Sequence, residues 1–124
     1  MYKNRIDMAK NRYYVTFQGK MEVEEIKQAA AEALQMVKQL KRGFGTVSDI
    51  STAIPANEEG RLLMQNAMKA LKEAGMGQVV RIVPPAATVM GNQWQRSSRA
   101  VGYSADEAPT LAEAERRLDD LEKG

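Results

Sequence analysis

The 124 residues predict an α/β domain with a mixed five-stranded sheet and about four helices. The first segment alternates apolar and polar residues with a period of two, which is typical of a β-hairpin. Later segments repeat apolar residues at steps of three and four, as amphipathic helices do. Short apolar strands separate these helices, so the order ββαβαβαβα predicts parallel crossover connections in one domain over residues 1–124.

The N-terminal segment predicts a hairpin of two strands over about residues 3–9 and 12–18. Val15 and Phe17 recur on one face of the second strand, which indicates the side that packs on the core. Asn11 lies at the turn, where its side chain tolerates the left-handed backbone conformation.

An amphipathic helix is predicted over residues 22–41, because apolar residues recur there at helical spacing. Its first turn is acidic and its last turn is basic, and both suit the helix dipole. Gly43 is the predicted C-cap. A strand over residues 44–50 follows.

The next helix is predicted to begin near Asn57, a good N-cap, and to end at Gly75. A short central strand over residues 78–83 is closed by two prolines. Helical spacing, interrupted by a glycine, then predicts a helix over residues 86–102 and a short edge strand over residues 103–105.

The last helix is predicted from a capping box formed by Thr110 and Glu113. Its apolar residues recur at helical spacing, so one face is expected to pack on the sheet. The residues predicted to face inward are Leu111, Ala114, Leu118 and Leu121.

The composition excludes several classes of function. The chain has no cysteine and no histidine, which rules out thiolate chemistry, Ser-His-Asp triads and the common zinc sites. Its 18 basic and 16 acidic residues are interspersed, unlike the basic stripe that nucleic-acid binding needs. No apolar run is long enough to span a membrane, and the charged N-terminus is unlike a signal peptide. We expect a cytoplasmic protein without cofactor or metal.

The stretch that follows the third strand is the first candidate site. A strand that ends in Asp-Ile-Ser and leads to a helix N-terminus is a typical docking geometry of open α/β sheets. We expect a protein partner or a small anionic ligand to bind at loop 49–60 and the start of the next helix. The candidate binding residues are Asp49, Ser51, Thr52, Asn57 and Glu58, with Ser51 and Thr52 as candidate phosphorylation sites.

Two alternatives belong to other classes of function. Trp94 and Arg96, with Arg81 and Arg99, form a candidate basic and aromatic pocket, which predicts a carrier of a small molecule or lipid. Asp49 and Glu58 are also candidates for a carboxylate-dependent enzyme. Against these, Trp94 suits a core anchor, and the acidic residues are explained by turn geometry and the helix dipole.

The element order and several short motifs resemble the STAS domain family, and more narrowly the bacterial branch similar to stage II sporulation protein AA. The motifs are Lys10-Asn11-Arg12-Tyr13-Tyr14-Val15-Thr16-Phe17-Gln18-Gly19, Asp49-Ile50-Ser51, the strand 79–83, and Thr110-Leu111-Ala112-Glu113-Ala114-Glu115 with Leu118. Together they span nearly the whole chain. The resemblance implies a non-enzymatic regulatory module that binds a protein partner, as anti-sigma-factor antagonists do.

In the family's antagonist members, the resemblance further implies an Asp-Ser-Ser-Gly-like turn whose serine is phosphorylated. The corresponding turn here is Asn57-Glu58-Glu59-Gly60, which has no serine. Phosphorylation at the nearby hydroxyls of Ser51 or Thr52 would place about two negative charges next to Glu58. An exposed edge strand or helix face could also form a homodimer.

Overall fold

A computed structural model describes residues 1–54, 57–83 and 106–123 of the chain. Five strands form one sheet in the order β1-β2-β3-β4-β5; β1 and β2 pair antiparallel, and the remaining neighbours pair parallel. The mixed five-stranded α/β architecture predicted from the sequence is therefore confirmed. The elements are β1 (Tyr2–Asp7), β2 (Arg12–Gly19), α1 (Val23–Val37), β3 (Gly45–Ala53), α2 (Glu58–Glu73), β4 (Val79–Ile82), β5 (Asp106–Ala108) and α3 (Leu111–Lys123).

The β1–β2 hairpin forms as predicted. Asn11 adopts a positive φ of 57° at the turn, and its side chain exchanges two hydrogen bonds with the backbone of Lys41. Asp7 closes the turn by accepting a hydrogen bond from the backbone N–H of Lys10. One hydrogen bond thus fixes the turn internally, and two more join it to Lys41, in the segment that leads to β3.

Helices α1 and α2 pack together on one face of the sheet and form the larger core. Helix α1 ends at Val37, four residues before the predicted end at 41. The backbone N–H groups of Gln39 and Leu40 bond to the carbonyls three residues earlier, so the chain tightens and turns away. Gly43 has the positive φ expected of a cap, but it lies six residues beyond the end of α1.

Strand β3 is longer than predicted and continues to Ala53, because its last residues pair with Gln18 and Gly19 of β2. The register shifts between Thr16 and Gln18, so β3 carries one extra residue there, a β-bulge. The connection to α2 therefore covers residues 54–57 only, and the predicted loop over 49–60 is wrong in its extent.

Helix α3 packs on the opposite face of the sheet, against β3, β4 and β5. Ala114 and Leu118 are fully buried and Leu121 is partly buried, as predicted. Leu111 is 45% exposed, so its predicted inward orientation is wrong; it lies in the first turn, at the margin of the sheet. Strand β5 is found at Asp106–Ala108, beyond the predicted strand over 103–105, and the predicted helix over 86–102 lies outside the described residues.

An ion-pair cluster fastens α3 to the start of β2. The guanidinium of Arg12 is 2% exposed and lies 2.9 Å from Glu115, 2.6 Å from Asp119 and 3.0 Å from Glu122. Burial lowers the pKa of Arg12, but the hydrogen bonds to Glu122 and Asp119 outweigh it and raise the pKa above its ordinary value. Arg12 therefore stays charged inside the fold.

Glu115 is the most connected carboxylate of this cluster. It accepts hydrogen bonds from the Tyr14 hydroxyl at 2.6 Å, from Lys10 Nζ at 2.9 Å and from Arg12 at 2.9 Å. Burial raises the pKa of Glu115, yet these three hydrogen bonds hold it below its ordinary value. Burial and the bond to Glu115 raise the pKa of Tyr14 to about 12.

We predict that Arg12→Ala lowers the free energy of unfolding by about 3 kcal/mol, because three carboxylates on α3 lose their shared cation. Urea denaturation measures the loss. Arg116→Ala is the matched control, since among the described residues exposed Arg116 pairs only with Glu113 of the same helix, and it should cost less than about 0.5 kcal/mol. Equal losses in the two variants would contradict a structural role for the cluster.

We also predict an acid-sensitive contribution from Glu115. Its folded pKa lies below the unfolded value, so its stabilisation is present above the unfolded pKa and is lost as pH falls through the folded pKa. Urea titrations from about pH 6 to about pH 3 should show a smaller decrease for Glu115→Gln than for the unmodified protein. Glu24→Gln, at an exposed site on α1, should leave the decrease unchanged; identical decreases in all three proteins would refute the prediction.

Candidate functional site

The carboxyl end of β3 and the start of α2 form a compact surface feature. Backbone pairing continues past the strand, since the N–H of Ile54 donates to the carbonyl of Gly19 at 3.1 Å. Only residues 54–57 connect the strand to the helix, which begins at Glu58. Because β2, β3 and β4 run parallel, this connection leaves the sheet at the edge where their carboxyl ends lie.

Asp49 and Ser51 form a local hydrogen-bonded pair at the bulge of β3. Asp49 Oδ1 accepts from the backbone N–H of Ser51 at 3.0 Å and from its hydroxyl at 2.6 Å. The two residues are two apart along the strand, so their side chains lie on the same side. Thr52, the next residue, is exposed, whereas Ser48 is buried. Of the hydroxyls at this end of β3, Thr52 is therefore the most accessible.

The N-terminus of α2 is capped as predicted. Asn57 Oδ1 accepts a hydrogen bond from the N–H of Gly60 at 2.8 Å. Glu58 forms an ion pair with Arg61 at 2.6 Å within the first turn, and this hydrogen bond raises the pKa of Arg61. The first turn thus combines a satisfied cap with a paired acidic side chain.

Two large apolar side chains are exposed next to this turn. Ile54 is 51% exposed and Leu62 is 47% exposed. Single exposed apolar residues are normal on protein surfaces. The two residues flank the capped helix start along the chain, so exposed apolar side chains occur on both sides of the cap.

The alternative pocket predicted around Trp94 is not tested by the structure. Trp94, Arg96 and Arg99 lie outside the described residues. Arg81 is buried in β4, where it is in register with Ser48 on one side and Glu107 on the other. Arg81 therefore belongs to the interior of the sheet and not to a surface patch.

Two concave features occur among the described residues. An apolar cavity of about 50 Å³ lies between the sheet and the α1–α2 layer. A second, more polar groove of about 140 Å³ lies on the other sheet face and is lined by Lys3, Arg5, Asp49 and Leu111 among others. In this groove the guanidinium of Arg5 stacks 3.7 Å above the centre of the Tyr14 ring.

The described side chains define the chemistry available. Within residues 1–54, 57–83 and 106–123, no three carboxylates come together in a group that could hold a metal ion. No helix in these ranges is long and apolar enough to cross a membrane. Asp49 and Glu58, the carboxylates proposed for catalysis, are both engaged in local hydrogen bonds.

Sequence reasoning missed two features of the molecule. The sequence does indicate the acidic side of the cluster around Arg12. Along one face of α3, carboxylates recur at steps of four and three, at Glu115, Asp119 and Glu122. Nothing in the sequence named their partner, because Arg12 lies about a hundred residues away. No sequence pattern indicates the apolar cavity, since it depends on how the helices pack on the sheet.

The chain has the SpoIIAA-like α/β fold, and the predicted resemblance is confirmed at the level of the fold. The solved structure of the anti-sigma factor antagonist SpoIIAA in its unphosphorylated form matches the chain with a TM-score of 0.66, covering 97% of each chain. The two sequences are 15% identical, so the likeness shows the fold alone. No protein-family model and no curated protein matches the chain.

We predict that Asp49 stabilises the end of β3 through its bonds to Ser51. Asp49→Ala should lower the free energy of unfolding by about 1–2 kcal/mol, because the N–H and hydroxyl of Ser51 lose their acceptor. Asp49→Asn retains an acceptor oxygen and should lose less than half of that amount. Urea denaturation distinguishes the two variants, and a larger loss for Asp49→Asn would disprove this assignment.

Proposed function

We propose that this protein is a non-enzymatic regulatory module that binds a protein partner at a docking surface formed by Thr52, Ile54, Asn57, Glu58 and Leu62. The observation that carries the proposal is the exposed pair Ile54 and Leu62 beside the capped start of α2. Support also comes from the fold, which is that of an anti-sigma factor antagonist. Partners dock preferentially at strand carboxyl ends in such sheets.

The chemistry of the docking surface favours a protein over a small anion. An apolar centre with a polar rim is the usual anatomy of a protein interface. Glu58 and Glu59 add negative charge where an anion would have to approach, which opposes the attraction of the helix dipole. The partner that fits is a surface with apolar side chains and basic groups at its margin.

A non-enzymatic role agrees with the state of the available side chains. The sequence offers no histidine and no cysteine as base or nucleophile. Asp49 accepts two hydrogen bonds from Ser51, and Glu58 is paired with Arg61, so both carboxylates are engaged in local contacts.

Phosphorylation would regulate this surface at Thr52 more readily than at Ser51. Thr52 is exposed at the end of β3, whereas the Ser51 hydroxyl is already bonded to Asp49. A phosphoryl group on Thr52 adds about two negative charges within the docking surface. These charges add to those of Glu58 and Glu59 and would change the affinity for a partner selected by charge.

The test is photo-crosslinking in cells of the native host, with a photoreactive amino acid introduced at position 62. We expect one partner to be captured, and capture to fall at least tenfold when Ile54→Ser removes the neighbouring apolar group. Thr52→Glu, which mimics the added charge, should change capture in the same assay. The captured protein is then purified, and its affinity for the unmodified chain is measured directly.

The matched control places the same photoreactive group at position 111, because Leu111 is exposed to a similar extent on a different part of the molecule. Capture of the same protein from positions 62 and 111, with no effect of Ile54→Ser, would exclude the proposed docking surface. A homodimer through the edge strand β1 stays a prediction; crosslinks between two copies from position 62 would replace the partner with a second chain.

A further inference from the structure

The apolar cavity lies inside the larger core, between the sheet and the α1–α2 layer. Residues of β2 and β3 line one side of the cavity, and residues of the two helices line the other. Tyr13, Val15 and Phe17 contribute from β2, and small alanine side chains of α1, among them Ala29 and Ala33, leave the space open. Most domains fill such a volume with side chains, because interiors are close-packed.

A buried hydroxyl lies in the wall of this cavity. Thr46 of β3 is 2% exposed, and its Oγ1 has no hydrogen-bond partner among the residues that the structure describes. Its backbone N–H is used in the sheet and donates to the carbonyl of Gln78. An unsatisfied buried hydroxyl is unfavourable, so a group that completes its hydrogen bonding would be held strongly relative to its size.

The cavity walls can adapt to an occupant. Ser48, two residues along β3, adds a second hydroxyl on the same face. Met64 and Met68 of α2 and Met76 beyond it form the opposite wall. Methionine side chains are unbranched and change rotamer readily, so they can enlarge a space of about 50 Å³ without moving the helices.

We propose that this cavity is a binding site for a small, neutral, apolar molecule that carries one hydroxyl group. The apolar walls accommodate its hydrocarbon part, and Thr46 Oγ1 exchanges a hydrogen bond with its hydroxyl. A charged ligand is excluded because the cavity wall presents no ionised side chain among the described residues. The site lies beneath α1 and α2 and shares no residue with the docking surface proposed above.

The experiment is an NMR titration of the full chain labelled at its methionine methyl groups, with cyclopentanol and cyclopentane as probes. Cyclopentanol should shift the methyl signals of Met64, Met68 and Met76. The exposed Met1 and Met8 should not shift and serve as internal controls. Cyclopentane, which lacks the hydroxyl, should bind at least threefold more weakly.

Thr46→Val removes the hydroxyl and keeps the shape of the side chain. It should weaken cyclopentanol binding about three- to tenfold, leave cyclopentane binding unchanged, and raise the urea midpoint of the free protein. Thr16→Val, on the opposite face of β2, is the matched control and should change neither affinity. Ala33→Leu, which fills the cavity, should abolish binding of both probes.

Three results would overturn the proposal. The first is the absence of any shift at the cavity methionines, as expected if water fills the space. The second is equal affinity for cyclopentanol and cyclopentane in the unmodified protein. The third is unchanged cyclopentanol binding in Thr46→Val. If that variant does not fold, Thr46→Ser keeps the hydroxyl and must retain the preference for the alcohol, and loss of the preference would equally refute the site.

Discussion

The buried guanidinium of Arg12 is the interaction on which the two-sided sheet depends. It lies at the start of β2, and three carboxylates of α3 surround it, although the two elements stand at opposite ends of the chain. Burying a charge is costly unless it is paired and hydrogen-bonded, so Arg12 and α3 require each other. Once α3 is fixed, it covers Val47 and Val80, and the sheet is buried on both faces.

Different interactions stabilise the packing on the two faces of the sheet. The α3 face is held by ion pairs and by a small core in which Ala114 and Leu118 are fully buried. The α1–α2 face is held by apolar contacts, methionines among them, together with hydrogen bonds from Tyr2 and Asn4 of β1 to α1. Charged networks fix one geometry, whereas methionine-rich packing tolerates several. The α3 face therefore fixes the position of the sheet, whereas side-chain packing on the α1–α2 face can change.

A structural feature could be predicted from the sequence when the interactions that cause it are local along the chain. The positive φ of Asn11 and the helix cap at Asn57 were predicted, because the first concerns the residue's own backbone and the second an N–H three residues on. The extension of β3 was not predicted, since it depends on pairing with β2 and on a bulge that only the partner strand reveals. Leu111 fits the helical period, but the period cannot show where the sheet beneath the helix ends. The bond from the backbone N–H of Ser51 to Asp49, two residues earlier, is local and agrees with the hypothesis that Asp49 bonds to the nearby backbone.

Helix α2 connects the two sites proposed for this protein. Leu62 of the docking surface and Met64 of the cavity wall are two residues apart, on opposite sides of the same helix. A cavity occupant too large to be accommodated by rotamer changes of Met64 and Met68 would shift α2 on the sheet, and the position of its N-terminus would change with it. Coupling between two binding sites is reciprocal, so a partner that fixes α2 would alter cavity affinity by the same factor. The α3 face takes no part in this coupling, because the ion pairs of Arg12 hold it in one arrangement.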